Sequence, residues 1–140
     1  MTTTVVNLRR EAYDVYIGRP GKGLSGPFGN PYRVEEWGNR ALELFQGAFD
    51  FLVGEEPYLT CDWGFCNENA VGIRFGKEWL PVCRHHVQGG PEPLGVRWDP
   101  GYRARVLALK GKRLGCCCKK ADGTGACHGD IIAKWLDAQP

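Results

Sequence analysis

Cys61-Asp62-Trp63-Gly64-Phe65-Cys66 and, after 16 intervening residues, Cys83-Arg84-His85-His86 supply two short pairs of soft ligands. Two such pairs can close a tetrahedron around zinc, which in structural sites takes four thiolate or imidazole donors. The expected ligands of one Zn2+ are Cys61, Cys66, Cys83 and His86, with His85 the alternative for the fourth position. Trp79-Leu80-Pro81-Val82 reads as a short strand that feeds the second pair. Gly and Pro are closely spaced over residues 54–98, and no long apolar period runs through them. Some thirty residues of that kind cannot build an adequate core unaided. A structural zinc contributes on the order of 10 kcal/mol to folding its segment. The stretch therefore reads as a metal-stapled module inserted at about residues 57–90.

Outward from the module, the flanks alternate between strand and helix. Residues 3–8 and 14–18 are β-type runs. Residues 18–31 form a loop rich in Gly and Pro without apolar periodicity. A helix is expected over 33–53, with Ala41, Leu44, Phe45, Ala48 and Leu52 on its buried face. Beyond the module, Asp99 as N-cap and Pro100 in the first turn open a second helix that runs through Tyr102, Val106 and Leu109 to Gly111. Residues 112–118 read as a strand, and 129–138 as a final amphipathic helix through Ile131, Ile132, Trp135 and Leu136. This order predicts one α/β domain: a small, partly parallel sheet flanked by helices, with the zinc module inserted. The module itself resembles zinc-ribbon or treble-clef zinc fingers, although its first pair has four intervening residues where two are commoner.

Composition narrows the class without naming a reaction. The 140 residues suit one domain, and a hydrophobic fraction of 43% with 24% charged residues is that of a globular chain. A formal net charge of +2 neither demands nor excludes nucleic acid as a partner. No apolar run approaches the roughly 20 residues that cross a bilayer, so no membrane is expected. The opening Met1-Thr2-Thr3-Thr4-Val5-Val6 lacks the pattern of a signal peptide. A cytoplasmic setting follows as the expectation. In that setting seven cysteines point to metal or thiol chemistry rather than to disulfides.

The remaining cysteines lie near the end, in Cys116-Cys117-Cys118 and Cys127-His128-Gly129-Asp130. On a strand Cys116 and Cys118 share one face while Cys117 points to the other, toward the core. Cys127 and His128 open the last helix, where backbone N–H groups and the helix dipole favour thiolates and anions. Three readings stand side by side. One is a second metal site of Cys116, Cys118, Cys127 and His128. Another is a reactive thiol, Cys116 or Cys118, with His128 as base. The third is structural packing.

Val15-Tyr16-Ile17-Gly18-Arg19-Pro20, Phe28-Gly29-Asn30-Pro31-Tyr32, Leu109-Lys110-Gly111-Lys112-Arg113-Leu114-Gly115-Cys116-Cys117-Cys118 and Cys127-His128-Gly129-Asp130 together resemble domain-of-unknown-function family 4326. That family consists of small, often phage-encoded proteins, which would place the chain in host-cell cytoplasm. The resemblance covers about residues 14–53 and 99–136. The family usually carries an aromatic where this chain has Cys117, and a shorter link to its Cys-His pair. It implies no activity, since none is known for it. If the strands ending near Gly18 and Cys118 are parallel neighbours, Arg19, Asn30, Cys116, Cys118, Cys127 and His128 gather on one rim. Ligands of open α/β sheets bind at that edge. Arg19 could clamp a phosphate or carboxylate, and Asn30 could read a base or orient a ligand. The leading expectation is a nucleotide-like or nucleic-acid ligand, with a reaction on nucleosides or bases as its extension. The alternatives are a non-catalytic zinc adaptor for nucleic acid or a host protein, and a thiol enzyme or redox sensor. For the adaptor, the basic residues are Arg74, Lys77, Arg84 and Arg97, beside Trp63, Trp79 and Trp98.

Overall fold

A computed structural model describes residues 2–7, 12–18, 28, 40–55, 59–64, 66–75, 78–87, 95–116 and 127–140. Arg19, Asn30, Lys77, Cys117 and Cys118 lie outside the described residues, as does the expected start of the first helix. The described elements are β1 (Thr4–Asn7), β2 (Val15–Tyr16), α1 (Arg40–Val53), β3 (Gly72–Phe75), β4 (Trp79–Val82), β5 (Gly95–Arg97), α2 (Tyr102–Leu107), β6 (Arg113–Cys116) and α3 (His128–Asp137). The chain is thus of mixed α/β class. It divides into two compact units, Met1–Gln46 with Ala104–Pro140, and Gly47–Arg103.

The first unit is built on a parallel sheet of order β1-β6-β2. Leu114, at the centre of β6, faces Val5 in β1 and Val15 in β2. Strands lined on both sides in this way read as continuous apolar runs, which is what Val5-Val6 and Val15-Tyr16-Ile17 are. Ile17 N donates to the Gly115 carbonyl at 3.0 Å and extends the β2 register by one residue. At the opposite end Asp14 pins the pair, accepting from Arg113 N at 2.8 Å. That backbone N–H, followed by the Arg113 guanidinium, holds the Asp14 carboxyl below the usual carboxylate range. Ile17, Leu114, Ile132 and Leu136 are fully buried. Thr3 ties the edge together: its N–H donates to Asp137 Oδ1, and its hydroxyl accepts from Gly111 N, both at 2.9 Å.

In α1 the buried stripe is Ala41, Leu44, Phe45, Ala48, Phe49 and Val53. Leu52, expected on that face, is half-buried, because the 45–49–53 row carries the bulk and leaves residue 52 at the margin. Asp99 does act as a cap, its Oδ1 accepting from Gly101 N at 2.9 Å. The helix it introduces is shorter than expected. After Ala108, whose N–H still reaches the Ala104 carbonyl, the bonds tighten to a three-residue spacing, Leu109 N to Val106 O and Lys110 N to Leu107 O, and the chain turns at Gly111.

The second unit holds an antiparallel sheet of order β4-β3-β5, of which the sequence pattern had announced only β4. At the start of β5 the backbone passes so close to Val87 that a Cβ added at Gly95 would lie 1.9 Å from the Val87 carbonyl oxygen. Backbone cannot swing aside as a side chain can. Gly95→Ala is therefore expected to destabilise this unit by about 3 kcal/mol, the upper range for overpacking. A denaturant midpoint unchanged from that of the native chain would contradict it.

Candidate metal centres

The first cluster grows from two local devices in the second unit. A β-bridge between Thr60 and Asn69, with Cys61 N donating to Glu68 O at 2.7 Å, folds the Cys61–Cys66 segment back on itself. The turn is made at Gly64, whose φ of 71° lies in the left-handed region that favours glycine. The second device is one helical turn after β4. His86 N and Val87 N both donate to the Cys83 carbonyl, at 3.1 and 2.9 Å. Residues three apart on such a turn share a side, which brings His86 rather than His85 beside Cys83.

The distances match a zinc polyhedron. With Zn–S near 2.3 Å and Zn–N near 2.0 Å, a tetrahedron has S···S edges of about 3.8 Å and S···N edges of about 3.6 Å. Cys66 Sγ lies 3.7 Å from Cys83 Sγ. His86 Nδ1 lies 3.4 Å from Cys61 Sγ and 3.3 Å from Cys83 Sγ. All four donor atoms fall within 4.8 Å of one another. His85 points away and is largely exposed, its Nε2 lying 3.5 Å from Glu68 Oε2.

Electrostatics favour a cation at the centre. Burial works to raise the Cys61 thiol, but backbone N–H groups of Trp63 and Cys83 and the His86 imidazole outweigh it and bring the pKa down to about 7. Cys66 moves the other way: the Glu68 backbone N–H pulls it down, while burial and the neighbouring Cys83 and Cys61 sulfurs win and push it up. Without a cation the cluster tolerates one thiolate more readily than two. A dication removes that conflict. Zinc with three thiolates and a neutral imidazole would carry one net negative charge. Arg74 supplies the opposite sign: it is buried, its Nη1 donates to the His86 carbonyl at 3.1 Å, and its guanidinium lies 4.4 Å over the Trp63 ring. Among the described residues, Val82, Val87, Val71 and Trp63 form a small apolar cluster around the four donors, less than a module of this size needs for an adequate core.

The second cluster lies in the first unit, at the C-terminal end of β6 and the mouth of α3. Cys116, Cys127 and His128 are all buried, and their donor atoms also fall within 4.8 Å of one another. His128 Nδ1 lies 3.9 Å from each sulfur. Cys127 is the N-cap of α3, and its sulfur accepts from Gly129 N at 3.3 Å. His128 Nε2 donates to the Ile17 carbonyl at 2.7 Å, and Phe45 meets the ring edge-on at 5.1 Å between centroids. Gly129 lets the helix mouth approach this closely, since a Cβ there would lie 2.6 Å from Ile17 Cδ1. None of the five described cysteines is in a disulfide.

The structure thus gathers Cys61, Cys66, Cys83 and His86 in one place, and Cys116, Cys127 and His128 in another. Sequence reasoning missed three supporting groups. Arg74 appeared as a surface cation yet is buried beside the first cluster. Phe45 appeared as core without its histidine neighbour. The Ile17 carbonyl, being backbone, left no signal at all.

Fold and donors together define an α/β protein with two Cys/His clusters that can hold metal ions. The chain belongs to the family described as Domain of unknown function (DUF4326), whose model matches residues 4–138 and so takes in both clusters. No curated protein and no solved structure matches it. Among the described residues, no helix is long and apolar enough to cross a membrane.

Proposed function

We propose that this chain is a zinc protein whose central site, Cys61, Cys66, Cys83 and His86, is structural, and whose parallel sheet binds a nucleotide-like ligand at its C-terminal edge. The zinc reading rests on the tetrahedral edge lengths and on a donor set of thiolates and imidazole, which selects soft or borderline ions over magnesium or calcium. All four positions are filled by protein, which suits a stabilising ion rather than one that activates water.

The ligand reading is carried by one observation, the parallel register Val15↔Leu114 and Tyr16↔Gly115. It turns the ends of β2 and β6 toward the same edge, where ligands of open α/β sheets bind. Arg19 follows Gly18 directly in the chain. A guanidinium there, with the N–H groups opening α3, suits a phosphate. The test is thermal unfolding of the native chain and of Arg19→Ala against nucleosides, nucleotides, inorganic phosphate and short oligonucleotides. A ligand at a hundred times its Kd adds about 2.7 kcal/mol, a shift of several degrees. A nucleotide shift lost in Arg19→Ala supports the proposal, and no shift with any ligand sinks it.

The adaptor reading loses some of its surface. Arg74 and Trp63 are engaged with each other, and Trp79 packs against Phe75 at 5.5 Å between ring centroids. Arg84 and Arg97 remain exposed on that unit.

A further inference from the structure

We infer that Cys116, Cys127 and His128 form a second zinc site. This inference stands independently of the nucleotide reading.

The orientation of His128 carries most of the argument. Its Nε2 lies 2.7 Å from the Ile17 carbonyl oxygen, which can only accept, so Nε2 bears the hydrogen. In the neutral imidazole Nδ1 is then the bare nitrogen, and it faces both sulfurs at 3.9 Å. A backbone carbonyl on the distal N–H, fixing tautomer and ring plane, is the outer-sphere arrangement found around metal-bound histidines. Phe45 against the ring edge restricts it further.

Cys127 adds an independent observation. Its sulfur accepts the Gly129 N–H at 3.3 Å at the positive end of a ten-residue helix, a setting that favours thiolate. Charge then discriminates between the two clusters. Zinc with two thiolates and one neutral imidazole has no net charge, as an interior site requires, and no cation is needed beside it. The three-thiolate site in the other unit would be negative, and there a buried arginine is found.

Geometry is close to closure. Tetrahedral zinc needs S···N edges of about 3.6 Å, so a contraction of about 0.3 Å from 3.9 Å brings both of these edges to that length, with all three donors already within 4.8 Å of one another. The competing thiol-and-base reading needs an accessible sulfur, whereas Cys116 and Cys127 are 1% and 2% exposed. The packing reading would have two S–H groups share one imidazole lone pair as weak donors, each at a long 3.9 Å. Two protein sulfurs and one nitrogen leave a fourth position. Water, which adds no charge, can fill it.

The test is cadmium-113 NMR of the native chain after metal exchange, beside zinc content by elemental mass spectrometry. Two resonances and two zinc ions per chain are expected. Cys116→Ser/Cys127→Ser should lose one resonance and keep the other, and Cys61→Ser/Cys66→Ser should do the reverse. Because the native chain is read first, a variant that fails to fold does not leave the question open. A single native resonance that persists in Cys116→Ser/Cys127→Ser overturns the inference while leaving the central zinc reading intact. A single resonance that persists only in Cys61→Ser/Cys66→Ser supports the inference and removes the central site instead.

Discussion

Cys83→Ser is expected to cost the second unit its fold. Cys83 is fully buried and contacts both Cys66 Sγ and His86 Nδ1, so serine removes a ligand and leaves a hydroxyl in a site made for sulfur. The binding free energy of a structural zinc is folding free energy, on the order of 10 kcal/mol, and the apolar cluster around the ligands is too small to replace it. A chelator should act in the same way on the native chain. Hydrogen exchange read by mass spectrometry provides the measurement. Amides of β3, β4 and β5 should lose protection in Cys83→Ser and in chelator-treated protein. Protection retained in β3–β5 after metal removal would mean that the four donors are ordinary packing.

Leu114→Ala should be the costliest single truncation in the first unit. Leu114 sits in the central strand of the parallel sheet, opposite Val5 and Val15, with no exposed surface. Truncating such a leucine loses its transfer free energy and leaves a cavity, together about 3 kcal/mol. For a chain of this size that lowers Tm by roughly 6–12 °C. Leu107→Ala is the internal control, since Leu107 is 38% exposed and its loss should stay within about 0.5 kcal/mol. Equal effects of the two substitutions would contradict the assigned core.

Much of this architecture was legible because it rests on local patterns. Val5-Val6 and Val15-Tyr16-Ile17 are apolar runs with strand chemistry, and Asp99-Pro100 announces a helix. The alternation of these elements with α1 and α3 leads to a parallel sheet. The position of His86 beside Cys83 was legible too, as Cys-x-x-His spacing fits one helical turn. What escaped were features without a local signature. Strands β3 and β5 are short, begin with glycine and each contain an arginine, so they read as loop. Arg74 looks like a surface charge until the turn at His86 offers its carbonyl. The sheet edge places the Ile17 carbonyl under His128, and nothing in a sequence encodes a backbone oxygen's partner. Arg19, Asn30 and Cys118 were singled out from the same motifs and lie outside the described residues.

In the proposed zinc protein, Cys61, Cys66, Cys83 and His86 surround one zinc ion. Zinc X-ray absorption on the Cys116→Ser/Cys127→Ser chain, where only that site can be loaded, tests it most directly. Three sulfurs at about 2.3 Å and one nitrogen at about 2.0–2.1 Å are expected around the metal, the nitrogen retained in His85→Ala and lost in His86→Ala. A shell dominated by oxygen, fewer than three sulfurs, or a chain that retains no zinc would contradict it.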